Sequence, residues 1–220
     1  MTAERIAKRL VDHANELEHE IHAVSDLFRR TRFLDNPANM PYAHFGYLMA
    51  TLGLVDTLSL CDAGSDNKKQ TPRMCSFLDA YVHPGQVAVH PVLVQMMRHT
   101  LMHTGALRYL YDPTSKVAYT WRVHFGALDA GVTHYTVTSV DPVYQDELHE
   151  LAKQIGVSPM SITALNISLT AFAADVVRGA CGYVAAMLAD PGKRARAETE
   201  FPGIEMQQKS ISPRGSSTTT

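Results

Sequence analysis

Thr2–Thr31, TAERIAKRLVDHANELEHEIHAVSDLFRRT, places Ile6, Leu10, Ala14, Leu17, Ile21, Val24 and Phe28 at steps of four and three, with Glu, Lys, Arg and His between them. An α-helix turns once in about 3.6 residues, so these side chains make a single apolar stripe along one long helix. Thr2 is half of a capping box, because Arg5 stands where Glu would complete it. Asp35-Asn36-Pro37 and Met40-Pro41 mark the loop that follows. A stripe this long requires partner helices to cover it.

The segments downstream supply them. From Tyr42 to Ala63, Phe45, Leu48, Leu52, Val55 and Leu58 recur at helical spacing, and Gly64-Ser65-Asp66-Asn67 stops the run. Gly46 and Gly53 lie near one face of that helix, either to admit a close neighbour or as tolerated glycines. Thr71-Pro72 opens a shorter helix through Val82, His83-Pro84-Gly85 makes a turn, and His90-Pro91 starts a further helix with proline in its first turn. Val92, Leu93, Met96, Met97, Leu101 and Leu107 form the apolar side of this one, and Gly105 either interrupts it or ends it.

The period then changes from helical to alternating. Val117, Tyr119, Trp121, Val123 and Phe125 alternate with Ala118, Thr120, Arg122 and His124, and Thr133, Tyr135 and Val137 repeat the pattern after a glycine-bounded turn. This predicts one β-hairpin, residues 116–139, inserted between helices. Asp141-Pro142 restarts helix to Ile155, Gly156 and Pro159 break it, and the apolar run Ser161–Ala189 reads as one long helix. The fold expected is mainly α, an up-and-down bundle with one inserted hairpin. It forms a single domain over residues 1–190, followed over residues 191–220 by a basic segment (Lys193, Arg194, Arg196) and a polar, disordered tail from Ser210.

Composition narrows the function. The chain has 220 residues, 45% of them hydrophobic and 19% charged, with a formal net charge of −2, so no bulk basic field exists to coat a nucleic acid. Cys61, Cys75 and Cys181 are odd in number and form no CxxC pair, which suits core thiols in a reducing compartment. The N-terminal helix has no apolar signal core, and no later segment carries the long charge-free run of a membrane span. A cytoplasmic protein is expected, with no membrane partner. There is no Gly-x-Gly-x-x-Gly or Walker loop, no Gly-x-Ser-x-Gly elbow, and no HExxH or EF-hand spacing.

Arg98-His99-Thr100-Leu101-Met102-His103 concentrates the chemistry. A guanidinium presents a planar fork matched to phosphate oxygens and an imidazole exchanges protons near neutral pH, so the pair can bind a phosphodiester and move its protons without a metal. Arg98 and His103 are separated by about 140° beyond a full helical turn, so they flank a cleft. His99 and His103, four apart, face the same way and could share a metal, although no third ligand is identifiable in the sequence. Arg29 and Arg30, beside Phe28 and Phe33, make a small basic and aromatic cluster, and Arg108 follows the motif; these three are the candidate substrate-binding arginines.

An Arg-His-x-x-x-His motif in a long-helix bundle resembles the HEPN ribonuclease superfamily. The resemblance rests on three residues, in a bundle covering most of residues 1–190. It implies metal-independent cleavage of RNA by attack of the ribose 2′-OH on the adjacent phosphate, with no cofactor. His103 would transfer protons, Arg98 would stabilise the phosphate and His99 would assist. It also implies a homodimer whose two motifs meet in one composite site, in a defence or toxin setting with a protein partner or inhibitor. The chain departs from the toxin-type pattern in having Gly105 where a tyrosine would follow the last histidine; Tyr109 and Tyr111 come later. The hairpin lies outside the minimal bundle, so it either shapes a substrate groove or lies as a lid over an apolar patch with Tyr119 and Trp121. A noncatalytic HEPN-like module binding a protein or nucleotide is the alternative.

Overall fold

Helix α1 (Ala3–Arg30) buries Ile6, Leu10, Ala14, Leu17 and Ile21, and Val24 and Phe28 pack against the same core. The stripe read from the sequence is thus the buried face. This computed structural model describes residues 1–30, 43–65, 69–96, 110–124, 135–139, 142–154 and 156–209. Helix α2 (Ala43–Ala63) buries Leu48, Leu52, Val55 and Leu58 and ends where Gly64 takes a φ of 80° while its N–H donates to the Leu60 carbonyl. Helix α3 (Gln70–Phe77) continues without a break into a π-helical turn, Leu78–Val82. A short turn at Pro84–Gln86 leads to helix α4 (His90–Gln95), which has Pro91 in its first turn and buries Leu93 and Val94, with Met96 buried just past its end.

Among the described residues four strands form one sheet: β1 (Leu110–Asp112), β2 (Val117–His124), β3 (Tyr135–Ser139) and β4 (Ser161–Ser168), in the order β1-β2-β4-β3. The expected strands at 117–124 and 135–139 are present, but they do not pair as a hairpin. β4 lies between them, parallel to β2 and antiparallel to β3, with Trp121 opposite Leu165 and Val137 opposite Leu165 on the other side. A parallel pair cannot be joined by a tight turn, so the chain between β2 and β4 makes a crossover that includes β3 and helix α5 (Pro142–Gln154). The hairpin that does form joins β1 to β2. Its turn is fixed by the Asp112 carboxylate accepting from the Thr114 N–H at 2.9 Å and by Lys116 in the left-handed region at φ 55°.

The run Ser161–Ala189 is therefore not one helix. Residues 161–168 are β4 and Leu169–Ala189 is helix α6. Ile162 and Ala164 pack with Ala118 and Leu148 on one face of the sheet, whereas Leu165 and Ile167 join the main core on the other. Burial on both faces erases the polar alternation that marks a strand in sequence. The switch is made at Ser168, whose hydroxyl accepts from the Ala171 N–H at 3.4 Å as the N-cap of α6.

Helix α6 lies along α1 and buries Phe172, Val176, Ala180, Tyr183 and Met187. It is 21 residues long and, among the described residues, the one helix apolar enough to cross a membrane, but nearly half of its most apolar stretch is covered by the protein itself. Past residue 190 the chain stays in the fold as helix α7 (Pro191–Lys209), which docks on α2 and the start of α1. Arg196 Nε donates to the Asp62 carbonyl at 2.8 Å, Glu200 accepts from the Ser65 N–H, Glu198 accepts from the Ala3 N–H, and Ala197 and Phe201 are buried. The basic residues Lys193 and Arg196 are thus docking contacts, and residues 210–220 lie outside the described residues.

Candidate functional site

Arg98, His99, His103 and Arg108 lie outside the described residues, as does the side chain of Arg29. Arg30 is the last residue of α1. It is exposed and lines a cleft of about 510 Å³ with His19, His22, Asp26 and Leu27, all on the same face of α1. The structure thus places one of the candidate arginines on an exposed face of α1, beside two histidines that sequence analysis did not single out. The signal for them was available: His19, His22 and Arg30 follow helical spacing from one another.

The described chain reaches to within two residues of Arg98, and what anchors it there is a buried polar contact. His90, wholly buried in the first turn of α4, pairs through Nδ1 with the Asp79 carboxylate on the π-helical turn. Buried polar groups are stable only when partnered, so this contact fixes where α4 begins relative to α3. The π-helical turn is held in turn by α6, which passes so close that a Cβ at Gly179 would lie 2.9 Å from Val82 Cγ2 and 3.1 Å from the Tyr81 carbonyl oxygen. Spacing in the sequence gave no hint of the Asp79–His90 pair, because the two residues sit on different elements.

On the other side of the same turn the Tyr81 ring meets Phe77 at 5.0 Å and Tyr183 at 5.8 Å between centroids, with the Lys193 ammonium 5.6 Å above it. Lys193 also pairs with Asp62, and the contacts with Asp62 and Tyr81 outweigh the cost of burial and raise its pKa. The Tyr183 hydroxyl is buried with no hydrogen-bond partner among the described residues, and burial pushes its pKa up. Burial likewise pushes the Cys61 thiol up to about 12. It also raises Cys75 to about 11, with the Asp79 charge adding to the effect. Neither thiol is therefore set up as a nucleophile. Cys181 departs from the expectation of a core thiol, since it is exposed on α6.

No family model, curated protein or solved structure matches the chain.

The functional reading therefore rests on residues and their physical setting alone. Among the described residues no group of three His, Cys, Asp or Glu side chains is placed to hold a metal ion. Their polar clusters divide into two kinds. Asp79–His90 and Asp56–Arg73 are contacts between elements that pair a buried cation or imidazole with a partly exposed carboxylate, whereas Arg30, His19 and His22 stand exposed on one face of α1.

Proposed function

We propose that this protein is a metal-independent RNA endonuclease of the HEPN type, acting in the cytoplasm as a homodimer with a composite Arg/His site. The observation that carries the reading is Arg98-His99-x-x-x-His103 itself, which follows directly on α4 in a mainly α protein. In the reaction the 2′-oxygen attacks the adjacent phosphorus and loses its proton to a base. The 5′-oxygen leaves and is protonated, so the products are a 2′,3′-cyclic phosphate and a 5′-hydroxyl. His103 moves these protons, Arg98 neutralises the charge that develops on the phosphoryl oxygens, and His99 assists. Arg29, Arg30 and Arg108 hold the strand by its phosphates, a local contact that suits a chain of formal net charge −2. A defence or toxin role, with a protein inhibitor, belongs to the same proposal.

The test is cleavage of a defined RNA by the purified full-length protein in excess chelator. Cleavage with cyclic phosphate ends is expected. His103→Ala should lower the rate by about a hundredfold or more, and Arg98→Lys should be severely impaired because a point charge cannot reproduce the planar fork. Both variants should keep the parent circular dichroism spectrum. Folded variants that cleave at the parent rate, or activity that appears only with added zinc, would overturn the reading.

A further inference from the structure

A second recess shares no lining residue with the surface around Arg30. We propose that the groove between α1, α2 and α7 binds a small organic cation with an apolar body. It encloses about 640 Å³, within the range of small-ligand sites of about 300–1,000 Å³. Its floor is apolar, made by the buried side chains of Leu10, Leu54 and Phe201 with Ile204 beside them. Its open side is bounded on α2 by Ala50 and Gly53, and a Cβ built on Gly53 meets nothing within 4 Å. A larger side chain at Gly53 would therefore project into open space beside the recess.

The rim sets the charge of the ligand. Arg9, Asp12, His13 and Glu16 line it from α1. Arg9 is already engaged, and Asp12 accepts the Lys8 ammonium at 2.6 Å. Glu16 has neither a hydrogen bond nor an ion pair among the described residues. An anion entering the groove would meet the Glu16 carboxylate, which is unpaired among the described residues, and an Arg9 already engaged in another interaction. An ammonium meets a carboxylate free to receive it, above a floor that takes an apolar ring. The proposal uses none of the RNA chemistry and stands or falls separately from it.

Three probes of one shape separate the outcomes: tryptamine, the neutral alcohol tryptophol and the anion indole-3-propionate, each titrated calorimetrically into the full-length protein. Tryptamine is expected to bind about tenfold or more tighter than the carboxylate. Glu16→Gln should bring it down to the level of the alcohol. Gly53→Leu should abolish binding, with Ala50→Leu as a second way of filling the recess; melting temperature confirms that each variant is folded. No binding of any probe, equal binding of all three, a preference for the anion, or binding that survives both filling substitutions would each overturn the proposal. So would a groove taken by a second copy of the chain, seen as a concentration-dependent mass that Gly53→Leu reduces to the monomer.

Discussion

Arg73 holds a permanent charge in the core because two side chains of α2 meet it there. Its guanidinium donates to Asp56 Oδ1 at 2.7 Å and to Ser59 Oγ at 3.2 Å, and Gln70 donates to the second oxygen of the same carboxylate at 2.8 Å. Removing one partner of a buried pair leaves the other charge uncompensated, so Asp56→Ala should cost about 3 kcal/mol in urea unfolding. Arg73→Met leaves only a partly exposed carboxylate and should cost less, which reverses the order expected if packing alone mattered. Asp190 shows the same dependence on partners at the surface. Its carboxylate accepts from the backbone N–H groups of Lys193 and Gly192 at the start of α7, and these hold its pKa below the ordinary 3.8. A depressed carboxyl binds fewer protons folded than unfolded, so its contribution is complete above the ordinary value and is lost as pH falls through the folded one. Asp190→Ala should therefore lower the melting temperature at pH 7, and the gap to the parent should close as pH falls below 3.8. Asp190→Asn, which keeps an acceptor, should lie between them. The contacts of Arg73 with Asp56 and Ser59 were not legible in the sequence, because folding alone brings α2 and α3 together, whereas Asp190 stands two and three residues before its donors, a local spacing that sequence can show.

Elements were legible to the extent that one face is dry and the other wet. Helix α1 alternates buried and exposed residues at helical period and could be read almost to its ends, whereas β4, dry on both faces, carried no period to read. The strands β2 and β3 showed their alternation, but not their partner. Pairing is decided by which strand can cover both, and that strand was hidden in a run resembling helix. The crossing of α6 over the π-helical turn was likewise unreadable, and it gives a sharp prediction. Gly179→Ala puts a methyl group 2.9 Å from Val82 Cγ2 and close to a backbone carbonyl that cannot yield, so it should destabilise by about 1–3 kcal/mol. Gly46→Ala meets nothing within 4 Å on an exposed face of α2, and should instead stabilise by up to about 1 kcal/mol through helix propensity. Thermal unfolding of the two variants compares close approach against propensity in one protein.

At the scale of the whole molecule the site we propose would be completed by a second chain, since the motif occurs once in the sequence and, at helical spacing, Arg98 and His103 would lie about 140° apart around the axis. The motif could be read from sequence because its chemistry is carried by residue types at fixed spacing. Its geometry could not, because the composite site we propose would depend on a second copy. Light scattering should give about twice the 24.3 kDa of one chain. Mixing provides the stronger test. Arg98→Ala dimers lack both phosphate clamps and His103→Ala dimers lack both proton-transfer groups, so each alone should be nearly inactive. If the protomers exchange, a heterodimer of the two variants carries one arginine and one histidine, and a composite site can place them on the same phosphodiester. An equal mixture, unfolded and refolded together, should therefore cleave RNA faster than either variant treated alone. If each chain held a complete site of its own, every protomer in the mixture would lack one essential group and mixing would restore nothing.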